Sequence, residues 1–307
     1  RAVPGLEQYF HTNTFLSDAL TLEADKEIEK AVAEKRPFYL NMAHYAVHSP
    51  FETDKRFIGH YTDPKKNQQA CAFATLIEGM DKSLGDLMDK LEELGIAENT
   101  LIIFLGDNGG DAPLGGAADY GSSAPFKKGS EYEGGVRVPF IVAWAHPDVE
   151  NKFQKAFPVA QNAIQTQMGT VMDIYPTVLS VAGVKVPENH ILDGSTLERM
   201  IAGKKDKAHR DDFLMHFPHE HRGSYFTSYR KGDWKLIYYY NPEHPDTPYY
   251  KLFNLSEDPY EKNDVAKAER KKAKELFGLM VKRLEMEKAL YPIDKDKNEL
   301  RPFFIAK

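Results

Sequence analysis

The sequence has little of three features that would each indicate a class of protein. It has one cysteine in 307 residues, which excludes an internal disulfide framework. No apolar run approaches the roughly 18 to 20 residues of a membrane-spanning helix. The net charge is −6, and no long basic stripe compensates for it, which argues against nucleic acid as a general partner. We therefore expect a chain without a membrane span, in which local cations would have to meet any anionic ligand.

The first half of the chain alternates between two kinds of apolar pattern. Hydrophobic residues make up 42% of the sequence, enough for a substantial core. Their spacing predicts two long helices and three strands, namely helices over 15–35 and 67–94 and strands over 38–42, 101–105 and 138–144. Gly95 is the predicted stop of the second helix. Cys71, on that helix, is predicted to face away from its apolar stripe and to be a structural or idle thiol.

The second half predicts a smaller unit of different construction. A helix is expected over 169–182, with Pro176 near its first turns or at a kink. A polar, charged run at 204–212 is interpreted as a linker. Beyond it, short aromatic and β-branched runs predict about four antiparallel strands, at 212–216, 224–230, 234–240 and 249–254, followed by an amphipathic helix over 266–290. The predicted domains are an α/β domain over 1–205 and an α+β subdomain over 206–307.

Chemistry-bearing residues follow the predicted strand 101–105. Asp107 and Asn108 stand at its carboxyl end, where open α/β sheets place ligand-binding groups. Their hard oxygen atoms suit Ca²⁺ or Mg²⁺ better than zinc. Twenty residues later, Lys127 and Lys128 precede the glycine pair 134–135, a combination that suits close approach to an anion. The same residues would also suit an ordinary turn and a solvated basic loop, so both interpretations stand.

Histidines form two further candidates. His48 follows the predicted strand 38–42 and would serve either as a proton donor or anion contact, or simply as a surface histidine. A second cluster lies in the C-terminal half, with three histidines and an arginine within seven residues: His216, His219, His221 and Arg222. Such a cluster could chelate a transition metal, contact an anionic ligand, or form an ordinary surface loop.

Several segments together resemble the sulfatase family, which belongs to the alkaline phosphatase superfamily. They occur in the family's order along nearly the whole chain: HSP at 48–50, GDNGG at 106–110, KGSEYEGGVRVP at 128–139, MDIYPTVLSVAGV at 172–184, LDGSTL at 192–197, DWKLI at 233–237 and LFNLSEDPYEKNDVA at 252–266. The resemblance implies an incomplete helix-flanked α/β sheet, followed by a smaller subdomain with an antiparallel sheet and a C-terminal helix.

The resemblance also implies roles for individual residues. Asp107 and Asn108 match calcium ligands, with Ca²⁺ expected rather than Mg²⁺. His48 and Lys128 match residues that contact the sulfate and its leaving oxygen, whereas Glu133 and Arg137 match positions expected to be structural. Because the family uses C-terminal segments to shape the mouth of its pocket, the cluster at 216–222 is expected to contact substrate.

One essential part of the family's machinery is not found in the sequence. Sulfatases use a formylglycine made from the Cys or Ser of a C/S-x-P/A-x-R motif, and neither Cys71 nor any serine lies in such a motif. The family's N-terminal aspartate pair is also absent. The chain begins at Arg1 and lacks a signal peptide, so we interpret it as the C-terminal part of a longer protein, inactive alone. The resemblance implies a secreted, periplasmic or lysosome-like location.

Three functions remain open from the sequence. The first is a sulfatase that acts on a sulfated carbohydrate or an aryl sulfate. The second is a phosphoester or phosphonate hydrolase of the same superfamily, which the upstream nucleophile motif would distinguish. The third is a non-catalytic fragment that binds sulfated glycans. The agreement of motif, order and spacing favours the first.

Overall fold

The computed structural model describes residues 3–63, 67–110, 128–219, 225–240 and 248–305. Within these ranges it contains seven α-helices: Leu16–Ala33 (α1), Gln68–Glu93 (α2), Glu133–Val136 (α3), Lys152–Ala156 (α4), Ile174–Val181 (α5), Glu198–Ile201 (α6) and Arg270–Met286 (α7). The same ranges contain six strands: Leu101–Leu105 (β1), Phe140–Trp144 (β2), Asp212–Phe217 (β3), Phe226–Lys231 (β4), Trp234–Tyr239 (β5) and Tyr250–Asn254 (β6). The predicted α/β class, with its antiparallel C-terminal sheet and helix, is confirmed.

The described residues form two compact units. The first contains the described parts of 1–105 and 140–161, and the second contains 106–110, 128–139 and the described parts of 162–307. The predicted domain boundary between residues 205 and 206 stays a prediction.

Helices α1 and α2 pack together in the first unit. Asn67 caps α2 by accepting a hydrogen bond from the amide of Ala70 at 2.7 Å. The helix stops before Gly95, whose φ of +64° is the left-handed conformation that glycine adopts most readily. Between the two helices, the hydroxyls of Thr21 and Ser83 lie 2.5 Å apart and are buried.

The contact face of α2 differs from the predicted apolar stripe. The deeply buried positions include small residues such as Ala72 and Thr75, whereas Ile77 is 44% exposed. Small side chains allow close approach of a neighbouring backbone, so burial on this helix follows size more than hydrophobicity. The prediction that Cys71 faces away from the core was wrong, because Cys71 is buried at 8% exposure.

Strands β1 and β2 form a two-stranded antiparallel sheet in which Ile103 lies opposite Val142. The prediction of a strand over 38–42 was wrong, because those residues form no strand and Tyr39 is 70% exposed. A strand requires a neighbour with which to exchange backbone hydrogen bonds, and none of the described segments pairs with this one.

The second unit is built on a four-stranded sheet in the order β3-β4-β5-β6. Side chains of β5 alternate between its two faces. On one face, Leu236 and Tyr238 pack with Leu276 and Met280 of α7, all at most 1% exposed. On the other face, a cluster of side chains is also buried: Tyr132, Phe226, Ile237, Tyr239, Phe253 and Leu255. The segment that precedes α3 therefore covers the face of the sheet opposite α7.

A buried carboxylate at the start of α5 links the neighbouring segments through hydrogen bonds. Asp173 is fully buried and accepts hydrogen bonds from the amides of Thr170 at 2.6 Å and Ser195 at 2.8 Å. Nε2 of His209 lies 3.3 Å from the same carboxylate. Pro176 lies in the first turn of α5, as predicted, where its missing amide proton costs no helical hydrogen bond.

Across the described ranges, no helix combines the length and the apolar content needed to cross a bilayer.

Candidate active site

The candidate site begins where β1 ends. After Leu105, the amide of Gly106 still bonds to the carbonyl of Pro139 at 3.1 Å, and the chain then turns through Asp107 and Asn108. Asp107 is exposed and Asn108 is half-buried, so both are placed near the surface of the second unit. The turn therefore presents a carboxylate and a carboxamide from adjacent residues, both of which offer hard oxygen ligands.

Glycine allows this turn to pack directly on the segment 128–137. The amide of Gly109 donates to the carbonyl of Gly135 at 2.9 Å, and the amide of Lys128 donates to the carbonyl of Gly110 at 3.1 Å. A Cβ on Gly109 would collide with the carbonyl oxygen of Gly134. The structure therefore brings together the stretches that carry three of the predicted site residues, Asp107, Asn108 and Lys128.

A buried ionic cluster fixes the segment 128–137 to the four-stranded sheet. Glu133, the first residue of α3, pairs with Arg230 at 2.8 Å and with Lys235 at 3.2 Å. Lys235 is 2% exposed, and its ammonium also lies 3.0 Å from Glu261. The backbone amide of Glu133 donates to the other carboxylate oxygen of Glu261. Burial raises the pKa of Glu261, and the positive charge of Lys235 opposes that rise.

The resemblance gives Glu133 a structural position, and the structure adds the partners of Glu133, which the sequence did not identify. Lys235 lies in the DWKLI segment, in a run otherwise typical of a buried strand. A lysine at such a position requires an anionic partner, because an unpaired buried charge is very costly. That signal was available in the sequence, but it could not identify Glu133 or Glu261 as the partner.

Tyrosines extend the contact beside the ionic cluster. The hydroxyls of Tyr132 and Tyr239 lie 3.1 Å apart, Lys251 donates to Tyr132 at 2.9 Å, and Tyr239 donates to Glu131 at 2.6 Å. Burial, reinforced by the charge of Glu131, raises the pKa of Tyr239. Tyr239 is therefore a neutral hydrogen-bond donor, which anchors the segment before α3 to β5.

His48 belongs to the first compact unit and is exposed. Its Nδ1 lies 2.9 Å from the carbonyl oxygen of Ser49. Because a carbonyl only accepts, Nδ1 carries the proton, and in the neutral ring Nε2 is then the acceptor atom. Asp107, Asn108 and Lys128 all belong to the second unit.

The C-terminal histidines occupy contrasting environments. His216, on β3, is half-buried, with Nδ1 2.7 Å from the hydroxyl of Thr227 and Nε2 2.7 Å from the carbonyl of Leu290. Tyr240 is hydrogen-bonded in turn to Thr227, at 2.7 Å. A neutral imidazole satisfies this network, and burial lowers the pKa of His216. His216 thus uses both ring nitrogens inside the fold, and contact with a substrate would require it to break one of these bonds.

His219 is exposed, and its ring lies 4.1 Å from that of Phe217 between centroids. His221 and Arg222 lie outside the described residues. Among the residues that are described, no group of three or more His, Cys, Asp or Glu side chains is arranged to hold a metal ion. The transition-metal interpretation of this cluster therefore has no support from His216 and His219.

The turn at Asp107 and Asn108 fits a hard cation in the chemistry of its donors. Carboxylate and carboxamide oxygens suit Ca²⁺, which takes six to eight oxygen ligands in proteins. Two adjacent side chains supply only part of such a shell. The residues present can therefore be one side of a calcium site, and the remaining ligands would have to come from elsewhere.

Comparison with known proteins adds an independent finding. The model of the sulfatase family matches residues 4–184. The model described as N-sulphoglucosamine sulphohydrolase, C-terminal, matches residues 121–290. Between them, these two matches cover the turn at Asp107, the segment 128–137 and the whole four-stranded sheet.

Individual relatives are similar over part of their length. The chain is 29% identical to human steryl-sulfatase over 86% of its own length and 46% of that protein's. It is 30% identical to N-acetylgalactosamine-6-sulfatase of Mus musculus over 62% of its own length and 33% of that protein's. The crystal structure of Ps i-CgsB in complex with k-i-k-neocarrahexaose has a TM-score of 0.68 and 26% identity, over 95% of this chain and 58% of that one. The chain thus spans less than half the length of these two curated relatives.

Proposed function

Because this chain belongs to the sulfatase family, we propose that it is part of a sulfuric ester hydrolase that removes sulfate from a sulfated carbohydrate or an aryl sulfate. The observation that carries the proposal is the packing of the turn at Asp107 and Asn108 on the segment that begins at Lys128. That packing places hard oxygen ligands beside a stretch bearing a cation, which are the two elements needed to bind a sulfate ester through a metal and a direct charge.

In this proposal each site residue has a defined task. Asp107 and Asn108 would hold Ca²⁺, which would supply polarisation of the sulfate oxygens. The ammonium of Lys128 contacts the sulfate and the leaving oxygen, where negative charge develops as the ester bond breaks. His48 contacts the sulfate or the leaving oxygen through Nε2, because Nδ1–H already donates to the carbonyl of Ser49; to donate from Nε2, the ring must be in its imidazolium form.

The remaining ligands and the nucleophile would come from other residues of the same protein. The number of oxygen ligands supports this part of the proposal, since two side chains fall well short of the six to eight oxygens of a calcium shell. Further support is that the two curated relatives are more than twice as long as the stretch matched here. We propose that an N-terminal part contributes a formylglycine and the missing calcium ligands.

A carbohydrate sulfate is the favoured substrate class. One relative's name specifies a sulfated amino sugar, and the similar crystal structure holds a neocarrahexaose. His219, exposed beside Phe217, supplies an aromatic and polar surface that suits a sugar. We propose that His219, His221 and Arg222, with His216 after rearrangement, contact the substrate at the mouth of the pocket.

Turnover assays on the longer protein that contains this chain test the proposal. The substrates are 4-methylumbelliferyl sulfate, 6-sulfated N-acetylgalactosamine, chosen from the name of that relative, and the matching phosphate esters. We expect sulfate release that falls by at least about 100-fold in Lys128→Ala, the usual scale for loss of a charged group in a transition state. Lys155→Ala, in which an exposed lysine paired with Glu150 is removed, is the matched control. Hydrolysis of the phosphates but not the sulfates would favour the phosphoesterase alternative.

A second experiment separates substrate contact from metal binding. His219→Ala and Arg222→Ala should raise the KM for a sulfated sugar while leaving calcium affinity intact. Arg36→Ala, which removes an exposed arginine paired with Glu34, serves as a surface control. If both substitutions leave KM unchanged, the C-terminal cluster does not contact the substrate.

A further inference from the structure

The turn that carries Asp107 and Asn108 is held in place by its contacts with the backbone of α3. Gly109 bonds to the carbonyl of Gly135, and no space exists between Gly109 and the backbone of Gly134. The position of the turn therefore follows the position of α3. Any shift of that short helix would be transmitted directly, because the two backbones meet without intervening side chains.

Helix α3 is itself too short to be stable alone. It has four residues, two of them glycine, and a single helical turn fixes several dihedral angles for very few hydrogen bonds. Its position is determined by its first residue, Glu133, whose carboxylate meets Arg230 and Lys235 and whose amide meets Glu261. Contacts from the sheet therefore supply the order that α3 lacks.

Lys235 is the centre of this arrangement. It lies on the face of β5 opposite α7, and its ammonium is within 3.2 Å of Glu133 and within 3.0 Å of Glu261. Without Lys235, Glu133 would keep Arg230, but Glu261 would lose the cation that faces it. Glu261 is 3% exposed, so water cannot replace that cation without local opening.

We propose that Lys235 and Glu261 are positioning residues for the candidate active site, acting through Glu133 and α3 on the turn at Asp107 and Asn108. The importance of that turn rests on the proposed function, but the mechanical coupling does not. The C-terminal sheet then helps to position the site, since removing one charge on β5 loosens the candidate metal-binding turn, although the ion pairs of Lys235 are with Glu133 and Glu261 and not with that turn.

Amide hydrogen exchange of this chain, followed by NMR, tests the coupling without any need for activity. The reporters are the amides of Gly109 and Lys128, whose hydrogen bonds hold the turn to its neighbours. The variants are Lys235→Met and the milder Glu261→Gln. Met280→Ala is the destabilising control, because Met280 is fully buried on the opposite face of the sheet. Lys231→Met controls for the chemical change at an exposed ion pair of the same sheet.

We expect Lys235→Met and Glu261→Gln to speed exchange at Gly109 and Lys128 by at least about tenfold more than at amides of α7. Met280→Ala should show the reverse order, and Lys231→Met should change neither set. Lys235→Arg, which keeps the charge, should restore most of the protection. If Lys235→Met does not fold, Glu261→Gln alone decides the question. Equal acceleration at the turn and in α7 would refute the coupling, whether or not the protein proves to be a sulfatase.

Discussion

Gly109→Ala is the substitution that most directly probes how the site is built. The added Cβ would collide with the carbonyl oxygen of Gly134 and lie 2.7 Å from Cα of Gly135. Real Cβ atoms essentially never approach closer than 3.0 Å, and both neighbours are backbone atoms that no change of rotamer can move. The turn and α3 must therefore separate.

The expected cost follows from two contributions. Overpacking in a closely packed region costs about 1 to 3 kcal/mol. Separation also breaks the bond from the amide of Gly109 to the carbonyl of Gly135, which contributes about 1 kcal/mol. Together they predict that the free energy of unfolding falls by about 2 to 4 kcal/mol, well beyond the change of about 0.5 kcal/mol typical of a surface substitution.

Urea unfolding, followed by circular dichroism, measures this change. Gly278→Ala is the matched control, because Gly278 lies within α7 and an added Cβ there would meet no atom within 4 Å. Alanine is the better helix former by about 1 kcal/mol, so the control should gain stability. The reasoning about close backbone packing would be refuted if Gly109→Ala stayed within about 0.5 kcal/mol of the wild type.

Three further predictions concern the rest of the chain. Burial lowers the pKa of His216 below its ordinary value of 6.5, so the neutral ring stabilises the fold above that pH. This contribution is lost as the pH falls through the lowered pKa. His216→Gln should therefore flatten the decline in urea midpoint between about pH 7 and about pH 5. Leu284→Ala, at a fully buried position of α7, should lower the free energy of unfolding by about 2 to 5 kcal/mol in the same assay. The chain alone should not hydrolyse 4-methylumbelliferyl sulfate, and turnover that survives repurification would overturn the proposal that the nucleophile lies elsewhere.

The elements predicted correctly from the sequence are those that short-range features specify, such as a helix-stopping glycine or an isolated apolar run. Gly95 marked the end of α2, and the isolated apolar run 101–105 became β1 with the same limits. The four short aromatic runs of the C-terminal half became the four-stranded sheet, because alternation and turn residues are both short-range features.

The wrong predictions share a cause. In each, the conformation or burial of a segment depends on a partner that is distant in the sequence. The run 38–42 has strand composition but lacks a described neighbour with which to pair. On α2, Thr75 is buried, and its hydroxyl accepts a hydrogen bond from the amide of Asp54, a partner 21 residues away, whereas Ile77 is exposed. Residue types in the sequence do not specify such neighbours.

The same limit applies to the candidate site. The position of Asp107 and Asn108 at a strand end could be read from the sequence, and the resemblance assigned them and Lys128 to one pocket, but the packing of the turn on the segment 128–137 is seen only in the structure. The buried partners Lys235 and Glu261 follow the motif by about a hundred residues or more, and only the fold brings them to it. His216 had the residue type expected of a ligand contact, yet Thr227 and Leu290 occupy its ring nitrogens.

A calcium titration of this chain, observed through the NMR signals of residues 106–110 and 128, tests the central claim most directly. The account predicts shifts confined to Asp107, Asn108 and their neighbours, with a Kd on the order of 1 mM or weaker because the shell is incomplete. Those shifts should vanish in Asp107→Ala and persist in Asp296→Ala, an exposed control. Absence of any shift at about 10 mM Ca²⁺, or shifts that survive Asp107→Ala, would contradict the assignment of this turn as half of a calcium site.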